Sequence, residues 1–415
     1  MPTVQDILQN WNTESEAMLR HAYLPALYKV TKDQRGKSYL TPRVRRTQEG
    51  VQGLKAFLAF QTRAGHGWRP MSRLGYLPHG SPFAGAQQEI TLGMHAAGLQ
   101  ATIEDIYAYA GNNSVLGDLL KAQMSGLMDS LPLYMRNLLW LPSSGILGVA
   151  ASISGTTVTL DNAGLQHTSV YDLTKYFVRD DWVQTYTSAG VKKGDPVRVV
   201  WVDRERATIH LSSDPGIVDN DFFVTSDIVG RETAYNQFGP GMFDIIDNDN
   251  TFQGVDRSQT ANAWARAWVY QGATPGTGEA PTYDNLSEFF HQMFMPDIAV
   301  TSWRVIQAYF KNEFKSNVRF EQAGEFIDGF SSIKIDKTRL IEDDDALSDR
   351  IVVPDLANMM IFDKGEVMDM MGQGWKLDDE RPTVSKHLMF FAAPAAKDCR
   401  NMGMRLDINP DASAS

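Results

Sequence analysis

The sequence predicts an α+β chain in which a small all-β module, residues 150–229, interrupts two stretches of mixed helix and strand. Three observations carry this. Apolar residues recur at helical spacing between Val115 and Leu131, short Val-, Ile- and Thr-rich runs separated by turn signals fill the next eighty positions, and helical spacing followed by strands returns after Asn285.

Taken in order, Met1 to Asn10 is weakly helical. Tyr23 to Gly53 has no clean period, carries Pro25 and Pro42, and reads as an extended arm. From Gly65 to Gly98 glycines and prolines (Gly65, Gly67, Pro70, Gly75, Pro78, Gly80, Pro82, Gly85, Gly93, Gly98) defeat any long helix and predict a long loop. Loops of this length inside a domain are usually functional or docked on something, and Trp68, Tyr76, Leu77 and Phe83 give this one apolar surface to dock.

The strongest helix follows Gly111, with Asn112, Asn113 or Ser114 as cap. Its apolar face is Val115, Leu116, Leu119, Leu120, Met124, Leu127, Met128 and Leu131, and Asp118 suits its N-terminal end. Pro132 is expected to kink or end it, with Leu133 to Trp140 adding a turn or two before Pro142. Ala150 to Ser152 and Thr157 to Leu160 then flank a Ser154-Gly155 turn. Val197 to Val202 and Ala207 to Leu211 form a second hairpin entered through a turn at Lys193-Gly194-Asp195-Pro196, and Phe222 to Thr225 closes the set. Strands this short and closely spaced suggest a barrel or sandwich. Asn285-Leu286-Ser287-Glu288 is a capping-box pattern opening one helix, and Asp297 to Phe314 reads as a second. Strands are expected at Ser332 to Asp336, Arg350 to Val353, Met359 to Phe362 and Lys386 to Ala392, with a frayed tail from Pro410 to Ser415.

Composition narrows the function. With 415 residues, 43% hydrophobic and 21% charged, the chain has the makeup of a globular protein of two or three domains. Met1 to Arg20 contains no signal-peptide apolar region, and no run approaches the roughly 18 apolar residues of a membrane span, which predicts a chain made and kept in the cytosol. Charge is unevenly spread. Lys29 to Arg73 holds eleven basic residues against Asp33 and Glu49, a segment of +9 in a chain of −11, leaving about −20 on the rest. Eleven cations over forty-five residues, with one tight cluster at Arg43, Arg45 and Arg46, is thin for a dedicated nucleic-acid groove and fits self-association of basic arm with acidic body.

Catalytic patterns are missing: no H-E-x-x-H, no G-x-x-x-x-G-K-[ST] and no G-x-S-x-G occurs, and Gly272, Gly276 and Gly278 lack dinucleotide-loop spacing. The sole cysteine, Cys399, precludes an intrachain disulfide and has no nearby histidine partner, so it reads as an ordinary reduced thiol. His66, His79 and His95 lie in a glycine-rich stretch without carboxylates and read as surface or packing residues rather than a metal set. Asp244, Asp247, Asp249 and Asn250 superficially resemble a calcium loop, but Phe252 stands where the turn needs glycine and no glutamate closes it. Glu342 to Asp345 reads as a solvated acidic run or an intersubunit partner for the basic arm.

The order of parts resembles the major capsid protein of tailed double-stranded-DNA bacteriophages. Familial stretches are Gly75-Tyr76-Leu77-Pro78, Met135 to Gly148 (MRNLLWLPSSGILG), and Asp256-Arg257-Ser258 followed by Trp264, and the resemblance covers nearly the whole chain. It implies an N-terminal arm and lead-in over 1–60, an extended loop over 61–98, a peripheral domain with a spine helix over 99–149, an inserted β-barrel-like domain over 150–229, an axial domain over 230–345, and a return to the peripheral domain over 346–415. Assembly contacts are then expected from Arg43, Arg45, Arg46, Trp68, Arg69, Arg73 and Tyr76, with no catalytic, cofactor or metal residues. The implied function is self-assembly into hexamers and pentamers of an icosahedral shell. Implied partners are other copies of the chain, a portal, a decoration protein and a separate scaffolding protein, since the arm begins almost at Met1. Packaged DNA would be contacted non-specifically, and the protein would reside in the virion after assembly in the host cytoplasm. A cargo-enclosing nanocompartment shell of the same fold is the alternative, and a multidomain metal-dependent hydrolase or oxygenase stands further off.

Overall fold

Strand Thr383–Ala396, the longest among the described residues, is the backbone of a six-stranded sheet. The structure, a computed structural model, describes residues 38–63, 84–102, 104, 113–161, 173–226, 233, 235–237, 239–271, 278–293, 295–315, 325–327, 330–364, 368–369, 376–377 and 383–412. One edge of Thr383–Ala396 carries Gly93–Thr102 along ten paired residues, and the other carries Met359–Asp363, Met368–Asp369 and Lys376–Leu377 in succession. Arg45–Thr47 adds parallel to Met359–Asp363. Against this sheet packs a second, formed by Val51–Gln52, Lys55–Arg63 and Ala84–Thr91. The contact is dry: Ala56, Leu58, Ile90 and Leu92 meet Met360, Phe362, Phe391, Ala393 and Ala395.

The long helix, Asn113–Trp140, lies on the same sheet through Tyr134, whose ring meets His95 and Phe390 from that sheet's two longest strands. Pro132 does not break it. An interior proline costs about 3 kcal/mol of helix, and the turns beyond it repay that by burial, since Met135 and Leu138 to Leu141 are each 0–1% exposed. Directly after the helix, Leu141 is crossed by Gly241 at a separation where a Cβ would stand 1.8 Å from the Leu141 carbonyl oxygen. Only glycine allows that approach.

Six strands close into a barrel: Thr208–Leu211, Thr157–Asp161, Ile146–Ser154, Phe222–Thr225, Trp182–Tyr186 and Lys192–Asp203, the last pairing back to the first. Alternate residues point inward, so Val158, Leu160, Val183, Val197, Val199, Ile209, Leu211 and Phe223 fill it. These residues belong to the same apolar cluster as Met135, Leu138 to Leu141, Met242, Ile245, Ile246, Met359 and Ile361. The barrel is thus anchored on the body by a shared core.

A seven-stranded mixed sheet occupies the remaining lobe, ordered Trp268–Tyr270, Gly403–Arg405, Ile351–Val353, Ile298–Thr301, Thr338–Glu342, Phe330–Ile335, Glu325–Ile327. Helices Tyr283–Gln292 and Trp303–Lys315 cover it with Leu286, Phe289, Phe290, Val305, Ile306 and Tyr309 over Ile333, Ile335, Leu340, Ile351 and Val353.

Several sequence expectations need correction. Ala84–Thr91 and Gly93–Thr102 are strands rather than loop, and Gly85, Gly93 and Gly98 pair in register with Gln61, Ala392 and His387. Lys193-Gly194-Asp195-Pro196 lies inside Lys192–Asp203 as an irregularity in pairing, with Gly194 at φ +62°, and does not enter a turn. The helix expected from Asn285 starts at Tyr283, capped by Thr282, whose hydroxyl accepts from the Asn285 amide. Ile298–Thr301, expected as helix, is a buried strand. The weakly helical opening, Met1 to Asn10, lies outside the described residues, as do His66 and His79.

Candidate assembly surface and buried polar clusters

Residues 38–40 are tethered within the chain. Ser38 Oγ and the amides of Tyr39 and Leu40 all donate to Asp343 Oδ2, at 3.0, 2.9 and 3.0 Å. Asp343 is fully buried, and such charge-assisted bonds are the strong ones in an interior. Past this anchor, Arg43 folds back to donate from Nη1 to the Tyr39 carbonyl at 2.7 Å and stacks 3.8 Å above the Tyr39 ring. Arg45 and Arg46 sit on the short strand paired with Met360 and Ile361. Arg45 is exposed and lies 4.0 Å from Glu49, a surface pairing worth little in water. Of the expected contact residues, then, three lie on one short segment, while Trp68, Arg69, Arg73 and Tyr76 are outside the described residues.

The acidic run Glu342 to Asp345 is not a solvated loop. Besides Asp343, Asp345 is buried, gripped by both Nε and Nη2 of Arg136 from the long helix. Burial pushes the Asp345 carboxyl up to about 6, with the Arg136 bonds acting against the shift. The run meets residues 38–40 within the one chain, through a hydroxyl and two backbone amides, where the sequence leads one to expect a solvated loop or a partner for the basic arm of another copy.

The calcium-like loop already holds a cation, the guanidinium of Arg257. This fully buried side chain donates to the carbonyls of Ile245 and Asp244 and to Asn250 Oδ1. Asp244 itself accepts from the amides of Ser143 and Gly241, so its carboxylate ties the helix-to-barrel turn to the crossing chain. No group of three His, Cys, Asp or Glu side chains placed for a metal occurs among the described residues.

His95 is a packing residue. It faces Phe390 at 4.9 Å, approaches the Ala392 carbonyl with Nε2 at 3.3 Å and the Tyr134 hydroxyl with Nδ1 at 2.5 Å. A carbonyl only accepts, so Nε2 carries the proton and Nδ1 accepts from Tyr134. Burial holds its pKa down at about 4, and the ring is neutral at pH 7. Cys399 is buried, its thiol pushed up to about 11, which suppresses the thiolate.

A cavity of about 610 Å³ opens where the long helix, the barrel and the mixed sheet meet. Five cationic side chains line it, contributed by four separate segments, so no local motif announced it.

No protein-family model matches the chain, and no curated protein matches its sequence. Among solved structures it is similar to the capsid asymmetric unit of cyanophage A-1(L), at 12% identity over 94% of each chain and a TM-score of 0.49. It is also similar to the capsid subunit of the satellite phage P4 procapsid that includes the size determination protein, at 11% identity over 99% of this chain and 92% of that one, TM-score 0.42. A third likeness is the holo-SrpI encapsulin of Synechococcus elongatus PCC 7942, at 9% identity over 94% and 97% of the chains, TM-score 0.40. All three are shell proteins.

Proposed function

We propose that the chain is the major capsid protein of a tailed double-stranded-DNA phage, a structural subunit that builds hexamers and pentamers of an icosahedral shell. The observation that carries this is the order of parts. A β-hairpin, Lys55–Arg63 with Ala84–Thr91, precedes a 28-residue helix laid on a long antiparallel sheet, and the last strands of the chain return to that sheet after a separate mixed lobe. On this reading 61–98 is the extended loop, 99–149 with 346–415 the peripheral domain, 150–229 the inserted β domain and 230–345 the axial domain, after an arm and lead-in over 1–60.

Surface chemistry supports the same reading. Trp268–Tyr270 is an edge strand of the mixed sheet, with Trp268 and Val269 exposed, and Leu54, in the turn before the hairpin, and Met94, on the strand after it, stand exposed. Unpaired edges and apolar side chains are what neighbouring copies cover. Scaffolding protein, portal and a decoration protein are the further partners we assign, with packaged DNA touched through its backbone alone, and assembly in the host cytoplasm. No described helix is long and apolar enough to cross a membrane.

The test is particle content. Expressed with its scaffold and packaging partners, the chain is expected to sediment as megadalton particles that protect double-stranded DNA from nuclease. Particles enclosing a stoichiometric protein cargo and no DNA would transfer the chain to the nanocompartments, and failure to form particles would remove the shell role.

A further inference from the structure

The cavity at the junction of helix, barrel and mixed sheet is lined by Arg136, Lys175, Arg179, Arg204 and Arg304 against Asp344 and Asp345. Most of this charge is engaged locally: Arg136 holds Asp345, Arg179 lies 3.5 Å from Asp180, Arg304 reaches Asp411 at 3.0 Å, and Lys175 donates to the Ala346 carbonyl at 2.5 Å. Arg204 is different. It is exposed, and it has no hydrogen-bond or ion-pair partner among the described residues. Among the described residues, the lining therefore keeps the positive charge of Arg204 unneutralised.

Two further features converge on the same wall. Helix Trp303–Lys315 begins there, and the first-turn amides of a helix have no intrahelical acceptor, which makes such an end attractive to anions. Ser302 precedes that first turn and is 3% exposed, yet its hydroxyl has no partner. It is not acting as a cap, because the Val305 amide donates to the Ser302 carbonyl instead, at 3.2 Å. A buried hydroxyl left unbonded is costly, and in native proteins it usually marks a missing ligand or water.

We propose that this cavity is a phosphate-binding site. Donors reach it from several directions: a guanidinium from the barrel, a hydroxyl and helix amides from the mixed lobe, and an ammonium from the segment entering the barrel. That arrangement suits a tetrahedral dianion with many acceptor positions better than a planar carboxylate, which one arginine saturates. The cavity exceeds a lone phosphate, and exposed Trp201 and Trp303 line it, leaving room and apolar surface for whatever bears the group. The phosphate comes either from a small ester or from a polynucleotide backbone. The site stands on its lining alone and does not depend on the shell role.

Isothermal titration of the unassembled full chain with sodium phosphate, at low ionic strength, tests it directly. Saturable binding is expected, weakened about tenfold or more by Arg204→Glu and several-fold by Ser302→Ala. Arg206→Glu, at an exposed position two residues along and outside the lining, is expected to leave the affinity unchanged. Arg204→Gln replaces Arg204→Glu if the reversed charge prevents folding, checked by circular dichroism. A short DNA duplex that competes with phosphate, and is itself weakened by Arg204→Glu, identifies the polynucleotide backbone as the source. A duplex that does not compete assigns the site to a small phosphate ester. Absence of phosphate binding, or equal loss in Arg204→Glu and Arg206→Glu, overturns the proposal.

Discussion

Replacing His95 isolates one acid-sensitive element of the sheet-to-helix contact. In the folded chain burial holds this imidazole down at about 4, against an ordinary value of 6.5. A depressed folded pKa means that the unfolded chain takes up the proton first, so stability present above pH 6.5 is lost as pH falls toward 4. At about 1.36 kcal/mol per pH unit, that gap amounts to about 3 kcal/mol. Protonating Nδ1 also removes the acceptor that Tyr134 uses, so the charged ring cannot be accommodated by its present partner. Asp345 works in the opposite sense. Its folded pKa is raised to about 6, so its contribution is full at low pH and is lost as pH rises through that value. The two effects oppose each other between pH 4 and 6, and a wild-type pH profile alone would conceal both. His95→Gln keeps a donor for the Ala392 carbonyl and an acceptor for Tyr134 but does not titrate. Urea unfolding of the unassembled wild-type and variant chains, from pH 7 to pH 4, is expected to show the wild type losing about 3 kcal/mol relative to the variant, with the Asp345 contribution cancelling in the difference. Parallel stability curves would refute the reasoning, since His95 would then titrate alike in both states.

Four other outcomes are expected. Gly241→Ala forces a Cβ to within 1.8 Å of the Leu141 carbonyl oxygen and should cost about 3 kcal/mol or more, read as a lower thermal midpoint or as insoluble protein. Arg257→Met leaves the Asp244 and Ile245 carbonyls without their donor and should cost about 3 kcal/mol, while neither calcium nor a chelator moves the wild-type melting temperature. Asp343→Ala removes the shared acceptor of Ser38, Tyr39 and Leu40, and limited trypsin digestion should then cut at Arg43 many times faster, while melting of the barrel core changes little. Arg45→Glu, at an exposed position, should leave the unfolding free energy within about 0.5 kcal/mol of wild type and lower the yield of assembled particles measured by light scattering.

The barrel hairpins were readable from the sequence because their inward residues are Val, Leu and Ile at every second position, and because Ser154-Gly155 supplies the turn with Gly155 at φ +63°. Trp182–Tyr186, a strand of the same barrel, escaped notice. It buries Gln184 and Thr185, and the Gln184 amide nitrogen donates to the Lys193 and Gly194 carbonyls across the strand pair, a polar interior that blurs the pattern. The helix was located, but its length was not, since proline propensity is local and the burial of Met135 to Leu141 is tertiary. Polar clusters were least legible. Asp343 finds its partners 303 to 305 positions away and Asp345 finds Arg136 at 209, so a run that looks solvated in one dimension is an interior anchor in three. Nothing in the spacing around Asp244 points to Arg257 as the cation that this loop holds.

Electron microscopy of the chain expressed alone and with its scaffolding partner tests the central claim most directly. The account predicts closed isometric shells, or free hexamers and pentamers, in which the hairpin Lys55–Arg63 with Ala84–Thr91 overlaps a neighbouring subunit. A monodisperse monomer or dimer under every condition would contradict it.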